Sequence, residues 1–371
     1  MNAAIKSLTT MPSLAFGELV ARIPIVQGGM GVGISLSGLA AATANAGGVG
    51  VIAAAGIGLL EPDGFKDFLG ANVRALRREI RRARELSKGV LGVNIMVALT
   101  NFADLVKTAI EEKIDIIFSG AGLPVNLPEF IAGSKTKLVP IVSSGRAAAL
   151  LAKRWLDKYG YLPDGFVVEG PMAGGHLGFK PEQLDDPAFA LEKLVPEVVA
   201  SVRPFEESSG KKIPVIAGGG IYTGADIKKF LDLGASGVQM ATRFVATEEC
   251  DADPAFKQAY VDAQAGDLRI IKSPVGMPGR AIGNAFVQDV EEGRKKPFAC
   301  PYHCIVTCQV DKAPYCISLA LLNAQKGRLD KGFAFAGSNA YRTEKIVPVQ
   351  ALVDELSREF AEAQEGKGPK S

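Results

Sequence analysis

The chain has 371 residues, of which 47 % are hydrophobic and 22 % charged, and these proportions exclude a disordered or low-complexity protein for most of its length. Its 42 basic and 40 acidic side chains give a formal net charge of +2, so no global field attracts nucleic acid or an anionic membrane. No apolar run approaches the roughly 18 residues of a membrane span, and residues 1–16 lack a signal-peptide pattern. We therefore expect a globular, cytoplasmic protein.

Short apolar runs alternate with glycine-rich turns and amphipathic stretches through the first 265 residues. The predicted strands are Ile23–Gln27, Val49–Ala55, Val90–Met96, Ile114–Ser119, Leu138–Ser143, Phe166–Val168, Ile213–Ala217 and Gly237–Met240. The predicted helices are Ser37–Ala46, Asp67–Leu86, Phe102–Lys113, Leu127–Ile131, Ala147–Lys158, Leu191–Val202, Gly224–Leu233 and Pro254–Ala263. Continuous valine and isoleucine runs are typical of strands buried on both sheet faces. Eight alternating units predict an α/β fold, a (β/α)8 TIM barrel over residues 1–265, with an open doubly wound sheet as the alternative.

Residues 266–371 follow the last of these units and form a partly helical, cysteine-containing C-terminal extension or cap. We predict a loop over Ser273–Arg280, and helices over Ile317–Lys326 and Val349–Gln364. Glu365–Ser371 is expected to be a frayed tail.

The ends of the predicted strands carry glycine, small polar and amide residues, which leave room for a bulky planar ligand near the backbone. In a barrel these ends form the catalytic face. Gly218-Gly219-Gly220 precedes the expected helix start at Thr223, and this arrangement predicts a phosphate site. The alternative is that the glycines only make tight turns. No GxGxxG follows the first strand, which argues against a Rossmann dinucleotide site.

His176 is one of two histidines and follows the sixth strand within Gly174–Gly178. Imidazole titrates near neutrality, so we predict a role in proton transfer. The alternative is a histidine that only forms a hydrogen bond or lines the pocket. Glu169 is a second candidate, which could equally be a structural carboxylate satisfying loop amides.

A basic run follows the second predicted strand, on the helix Asp67–Leu86. Its members are Arg74, Arg77, Arg78, Arg81, Arg82 and Arg84. Because no aromatic residues lie between these charges, we interpret the run as a solvated helix face rather than a nucleic-acid patch.

Four of the five cysteines lie close together in the extension: Cys300, Cys304, Cys308 and Cys316. If Pro301 starts a helix, the first three share one face of it, and the four thiols could hold an iron–sulfur cluster or zinc. The spacing matches no standard C-x2-C pattern, and buried free cysteines are common, so packing is the competing interpretation. Cys250 is expected to be structural.

Five stretches taken together resemble the FMN-dependent nitronate monooxygenases, formerly 2-nitropropane dioxygenases, whose superfamily includes the flavin-dependent enoyl-ACP reductases. They are Pro24–Met30, Gly92–Met96, Glu169–Gly178, Ala217–Ile221 and Gly234–Phe244. They occur in the family order within residues 20–285. Two departures are Ala241, where the family often has glycine before the threonine, and the cysteine-rich extension, which short members lack.

The resemblance implies FMN held without covalent attachment at the strand ends, with His176 beside the substrate. The implied cofactor-binding residues are Gln27, Gly28, Gly29, Met30, Asn94, Ser119, Gly120, Glu169, Gly175, Gly218, Gly219, Gly220, Gln239, Met240, Ala241 and Thr242. Gly337–Tyr341 in the extension is expected to reach over the flavin.

The implied activity is oxidation of an alkyl nitronate or nitroalkane with O2 to a carbonyl compound and nitrite, with His176 removing the α-proton of a neutral nitroalkane. The alternative is NAD(P)H-dependent reduction of an enoyl thioester, in which His176 polarises or protonates the substrate. A third hypothesis is a flavin-binding protein without catalytic activity. All three predict a small-molecule partner, and a homodimer is left open.

Overall fold

The computed structural model of the chain describes residues 11–297, 300 and 303–366, and its centre is a closed barrel of eight parallel strands. We number them in chain order as β1 Ile25–Gln27, β2 Val49–Ala53, β3 Val90–Met96, β4 Ile116–Gly120, β5 Lys137–Val142, β6 Phe166–Glu169, β7 Val215–Gly218 and β8 Gly237–Met240. Pairing of β8 with β1, Val238 opposite Ile25, closes the barrel. The predicted TIM barrel is confirmed, and the open sheet is excluded.

Both faces of the barrel wall are buried, as the continuous apolar runs of the strands predict. Every residue of β2 and β4 is buried. An antiparallel hairpin, Leu14–Phe16 with Leu19–Ala21, packs Leu14 and Phe16 into the apolar cluster of the barrel interior. This hairpin covers the end at which the strands begin, so the opposite end remains for the functional site.

The helices follow the barrel strands in the expected order. In chain order they are α1 Ser37–Asn45, α2 Phe68–Leu86, α3 Phe102–Glu111, α4 Gly145–Tyr159, α5 Leu191–Ser209, α6 Gly224–Asp232, α7 Thr242–Val245, α8 Pro254–Asp262, α9 Ala285–Glu291, α10 Ile317–Gln325 and α11 Val349–Gln364. The fourth connection differs from its prediction, because it contains only the 3-10 turn Leu127–Phe130. Pro124 and Pro128 interrupt this segment and prevent a longer helix. Within the described residues, no helix is long and apolar enough to cross a membrane.

A three-stranded antiparallel sheet joins the extension to the barrel. Its strands are Leu268–Lys272, Pro278–Ile282 and the short Gly175–His176, in that spatial order. The predicted loop over Ser273–Arg280 is therefore wrong in its second half, because Pro278–Arg280 belong to a strand. The partner of that strand at the barrel lies about 100 residues earlier in the chain, so no local pattern indicates the pairing.

The helices predicted at the C-terminus are confirmed as α10 and α11. The described residues 303–316 contain no helix, so the expectation that Cys304 and Cys308 share a helix face is wrong. This segment instead crosses the loop after β3, where Val306 N–H donates to the Ala98 carbonyl at 2.9 Å. Pro301, the proposed helix start, lies outside the described residues, as does the tail beyond residue 366.

Candidate active site

A cavity opens at the carboxyl ends of the barrel strands, the face that carries chemistry in this fold. The predicted residues that line it are Gly28, Gly29, Met30, Asn94, Gly120, Glu169, Gly175, His176, Gln239, Ala241 and Thr242. The extension adds Leu321, Phe335, Ala336 and Gly337 from its side. Of the range Gly337–Tyr341 that was expected to reach over the site, Gly337 is the residue that lines the cavity.

Among the predicted residues that do not line the cavity, Gln27 and Ser119 hold strands together through their side chains, and Met240 does so through its carbonyl. The Gln27 carboxamide accepts a hydrogen bond from Val51 N–H at 2.9 Å and donates to the Gly28 carbonyl. The Ser119 hydroxyl donates to the Ile95 carbonyl at 2.9 Å. Met240 is buried, and its carbonyl accepts from Gly28 N–H at 2.8 Å. These contacts set the positions of the neighbouring glycines.

Three polar side chains face the cavity without a hydrogen-bond partner among the described residues: Asn94, Glu169 and Gln239. They come from the ends of β3, β6 and β8. Burial raises the pKa of Glu169 to about 7, so near neutral pH this carboxyl both donates and accepts hydrogen bonds. A ligand in the cavity can form hydrogen bonds with these three groups, so they indicate a polar occupant.

The loop beside the cavity has features of a phosphate site, although the predicted Gly218, Gly219 and Gly220 do not line the cavity themselves, whereas Thr242 does. Gly219 and Gly220 have φ values of +108° and +79°, and their amides donate no hydrogen bond within the described part of the chain. The Thr242 hydroxyl accepts from Gly337 N–H at 3.1 Å, which leaves its own proton for a ligand. Clustered amides of this kind bind anions.

The start of α6 is less available to an anion than the sequence suggests, because its amides already donate to carboxylates of the protein. Thr223 caps the helix as expected, but the amides of Tyr222 and Thr223 donate to the Asp226 carboxylate at 3.0 and 2.8 Å. Gly224 N–H donates to Glu359 of α11 at 2.7 Å. The groups that remain free to bind an anion are therefore the amides of the preceding glycine loop and the Thr242 hydroxyl.

His176 also lines the cavity and lies on the short strand that pairs with the extension. Its Nε2 is 2.7 Å from Ser273 Oγ, and the Phe335 ring packs edge-on at 5.0 Å between centroids. Burial lowers the pKa of His176 to about 4, so the imidazole is neutral at physiological pH. Its Nδ1 has no protein partner among the described residues and is the ring nitrogen available to a ligand.

Sequence reasoning missed the residues that hold His176 in place. The Arg280 guanidinium donates to the carbonyls of Pro171 and, at 2.9 Å, Ala173, which fixes the loop leading to His176. Ser273 and Phe335 were also missed, since they are far from His176 in the chain. In the sequence, each is only a polar or aromatic residue in a segment without periodicity, so nothing nearby in the chain indicates a contact with His176.

The cysteines of the extension do not form an evident metal centre. Cys304 is buried with its Sγ 3.0 Å from the Ser318 hydroxyl, and burial raises the pKa of its thiol to about 11. Burial likewise raises the thiol pKa values of Cys308 and Cys316. Among the described residues, no group of three or more His, Cys, Asp or Glu side chains could hold a metal ion. The structure thus gives the zinc and iron–sulfur hypotheses no support. Cys250 is buried, in agreement with a structural role.

Comparison with known proteins places this geometry in a family. The chain matches the family model described as nitronate monooxygenase over residues 15–359. A probable nitronate monooxygenase of Bacillus subtilis is 26 % identical over 318 residues, which are 76 % of this chain and 83 % of that relative. The (3aS,4S,5R,7aS)-5-hydroxy-7a-methyl-1-oxo-octahydro-1H-indene-4-carboxyl-CoA dehydrogenase of Mycobacterium tuberculosis is 28 % identical over 277 residues, 74 % of this chain and 68 % of the relative.

The structure of FabK from Thermotoga maritima has a TM-score of 0.72 at 30 % identity and covers 92 % of this chain and 94 % of that one. The family match extends over nearly the whole chain and includes every cavity-lining residue described above. The protein therefore belongs to the nitronate monooxygenase family and is a flavin-dependent oxidoreductase.

Proposed function

We propose that this protein binds FMN in the cavity and oxidises alkyl nitronates with O2 to a carbonyl compound and nitrite. The observation that carries the proposal is the cavity itself, which is lined by Thr242, by the unpartnered polar side chains and by the imidazole of His176, and which lies beside the Gly219–Gly220 loop. The family match and the Bacillus subtilis relative support this choice of reaction.

The residues present fit FMN. The amides of Gly219 and Gly220 and the hydroxyl of Thr242 would hold its phosphate. The carboxamides of Asn94 and Gln239, which lack protein partners, suit the polar edge of the flavin ring or its hydroxylated side chain. The cofactor supplies the redox chemistry between substrate and O2 when it is bound.

His176 and the surrounding extension act on the substrate. The neutral imidazole binds beside the reacting carbon and, for a neutral nitroalkane, is expected to take the α-proton. Phe335 and Leu321 exclude water from this side of the cavity, which strengthens polar contacts inside it. A nitronate arrives already deprotonated and needs only to be bound and oriented.

Purification followed by acid release of the chromophore tests the cofactor. We expect two visible flavin bands and free FMN in the supernatant. Nitrite formation and O2 consumption then test the reaction, and His176→Ala should lower turnover of neutral nitroethane by roughly 100-fold or more and turnover of preformed ethyl nitronate by less. A colourless protein that takes up no added FMN would contradict the proposal, because FMN binding is its first requirement.

Reduction of an enoyl thioester with NAD(P)H is the second candidate. The similarity to FabK and to a CoA-thioester dehydrogenase favours it, and the same flavin site would serve both reactions. NAD(P)H oxidation that depends on crotonyl thioester, together with no nitrite from nitronate, would decide for this candidate. A flavoprotein that turns over neither substrate would leave a binding role.

We also propose a cytoplasmic location. All five cysteines are free thiols, as is usual in a reducing compartment.

A further inference from the structure

A second cavity, of about 490 Å³, lies near the start of α7 and is separate from the active-site cavity described above. The two are close along the chain, because Thr242 and Gly337 line the active-site cavity while Arg243 and Arg342 line the second one. Pockets that bind small organic ligands have volumes of roughly 300–1,000 Å³, so the second cavity is large enough for such a ligand. The cofactor and the reaction proposed above make no use of it.

Some of the charged groups that line the second cavity are already engaged by the protein. The Arg243 guanidinium forms an ion pair with Glu355 at 3.0 Å and donates to the Tyr222 carbonyl at 3.2 Å. The Glu359 carboxylate accepts from Gly224 N–H at 2.7 Å. These contacts hold the walls of the cavity together, so the three charges involved are not the ones that a ligand would meet first.

Two further cations line the cavity and have no such partner. Arg342 and Lys345 are exposed, and the side chain of neither forms a hydrogen bond or ion pair within the part of the chain that the structure describes. Glu344 is the remaining lining carboxylate and is likewise unpaired there. Free positive charge therefore exceeds free negative charge, and the cavity favours an anion.

The Tyr222 ring supports Arg342 at this position. The guanidinium carbon of Arg342 lies 4.4 Å from the centroid of the ring, and that of Arg243 lies 4.5 Å from the same centroid. Both distances are within the range of a cation–π contact. Tyr222 is itself buried. Because none of the described residues accepts from the Arg342 guanidinium, its N–H groups remain free for the paired hydrogen bonds that this group forms with phosphate.

An aromatic surface lies next to these cations. Tyr341 precedes Arg342 in the chain, lines the same cavity and is 44 % exposed. Among the described residues, its ring has no aromatic or cationic partner. A planar base packs on a ring of this kind, while phosphate groups bind to adjacent arginine and lysine side chains. The combination indicates a ligand that carries both a base and phosphate.

We propose that the second cavity binds a nucleoside phosphate, with Arg342 and Lys345 on its phosphate groups and Tyr341 against its base. The proposal does not depend on the reaction in the active-site cavity. Nucleoside phosphates of this kind form one end of nicotinamide dinucleotides and of CoA thioesters. The two sources share this chemistry and differ in the ribose oxygen, 2′ or 3′, that carries an additional phosphate.

Isothermal titration calorimetry of the flavin-loaded protein tests the proposal, with 5′-ADP, adenosine 2′,5′-bisphosphate and adenosine 3′,5′-bisphosphate as ligands. We expect saturable binding of at least one of them without release of FMN, which the visible spectrum reports. Adenosine, which lacks phosphate, should bind roughly tenfold more weakly or worse. A preference for the 2′,5′ compound would indicate a phosphorylated nicotinamide dinucleotide, and a preference for the 3′,5′ compound would indicate a CoA thioester.

Substitutions assign the binding to this cavity. Arg342→Met and Lys345→Met should each weaken nucleotide binding roughly tenfold, because each removes a charge-assisted hydrogen bond. Tyr341→Ala should have a similar effect, whereas Tyr341→Phe, which keeps the ring, should bind nearly as wild type does. Arg82→Met is the matched control, since Arg82 is another exposed arginine without a partner among the described residues and lies on α2.

Three results would overturn the proposal. They are no binding of any of the three nucleotides, displacement of FMN by them, and affinities in Arg342→Met and Lys345→Met equal to that of Arg82→Met. Protein that proves to contain no flavin can be titrated in the same way, and the same variants locate the nucleotide. Failure of the proposed function would therefore be seen separately from failure of this site.

Discussion

The two sides of the cavity are built differently. The rim, formed by the loops that follow the barrel strands, contributes glycines, small side chains and three unpartnered polar groups. The cover, formed by extension residues 268–342 that face the cavity, contributes bulk and fixes His176 through Ser273 and Phe335. We infer that the rim binds the cofactor and that the cover sets the surroundings of the substrate. Changes on the two sides should therefore have different effects.

The largest effect is expected from added volume on the rim. A methyl group at Gly29 would lie 2.3 Å from Cβ of Asn94, so Gly29→Ala must displace the end of β1 or β3. We expect a roughly 100-fold weaker Kd for FMN, since overpacking costs about 1–3 kcal/mol. Fluorescence titration of flavin-free protein measures it. Gly266→Ala, where a methyl group meets nothing within 4 Å, is the control. Unchanged FMN affinity in Gly29→Ala would contradict this role of the rim.

The next effect is expected in the pH dependence of stability and comes from Glu169, which the cover shields from water on the rim. The pKa of Glu169 is raised from 4.5 to about 7, so the folded protein keeps a proton there that the unfolded chain loses near pH 4.5. The contribution of Glu169 to the free energy of unfolding is therefore fully present below pH 4.5 and is lost as the pH rises through about 7. Glu169→Gln removes the titration, so the flavin-free variant should be more stable than wild type above pH 7 by up to about 3 kcal/mol.

Urea unfolding at several pH values measures this difference. The difference in the free energy of unfolding between Glu169→Gln and wild type should disappear below pH 4.5. The control Glu182→Gln, at an exposed position, should show no comparable pH dependence. A constant gap across the pH range would mean that packing, rather than ionisation, distinguishes the two proteins.

A smaller effect is expected on the cover. Phe335→Ala removes a ring that lies 5.0 Å from the rings of both His176 and Phe333. We expect turnover of nitronate to fall roughly tenfold, about 1.4 kcal/mol, because the imidazole loses its orientation, while FMN affinity changes little. Phe189→Ala, at the contact with Phe179 away from the cavity, is the matched control. A large loss of FMN affinity in Phe335→Ala would remove the distinction between rim and cover.

The smallest effect is expected where the two sides meet. The Asn339 carboxamide donates to the Gly220 carbonyl at 2.6 Å and so supports the glycine loop of the proposed phosphate site. Loss of one net hydrogen bond in Asn339→Ala should weaken FMN binding roughly threefold to tenfold. The comparison variant is Asn323→Ala, whose exposed contact with the Lys331 carbonyl is 3.4 Å long. Equal FMN affinities in the two variants would show that the cover leaves the phosphate end unsupported.

The sequence by itself determined the barrel and most of the rim. Continuous valine and isoleucine runs separated by glycine turns are local features that require burial on both faces. The strand ends could therefore be located, and with them Asn94, Glu169 and the glycines. The helices α10 and α11 were likewise predicted, because capping and periodicity act within a few residues.

Only the tertiary structure decided the environment of these residues. Gln27 and Ser119 stand at strand ends like their neighbours, yet their side chains bond across the sheet. The strand Pro278–Ile282 pairs with its neighbour Leu268–Lys272 and also, about 100 residues away, with Gly175–His176. Ser273 meets His176 across 97 positions in the chain. Periodicity encodes whether a residue is buried, but long-range packing selects its partner and encloses it, and this burial shifts the pKa values of Glu169 and His176.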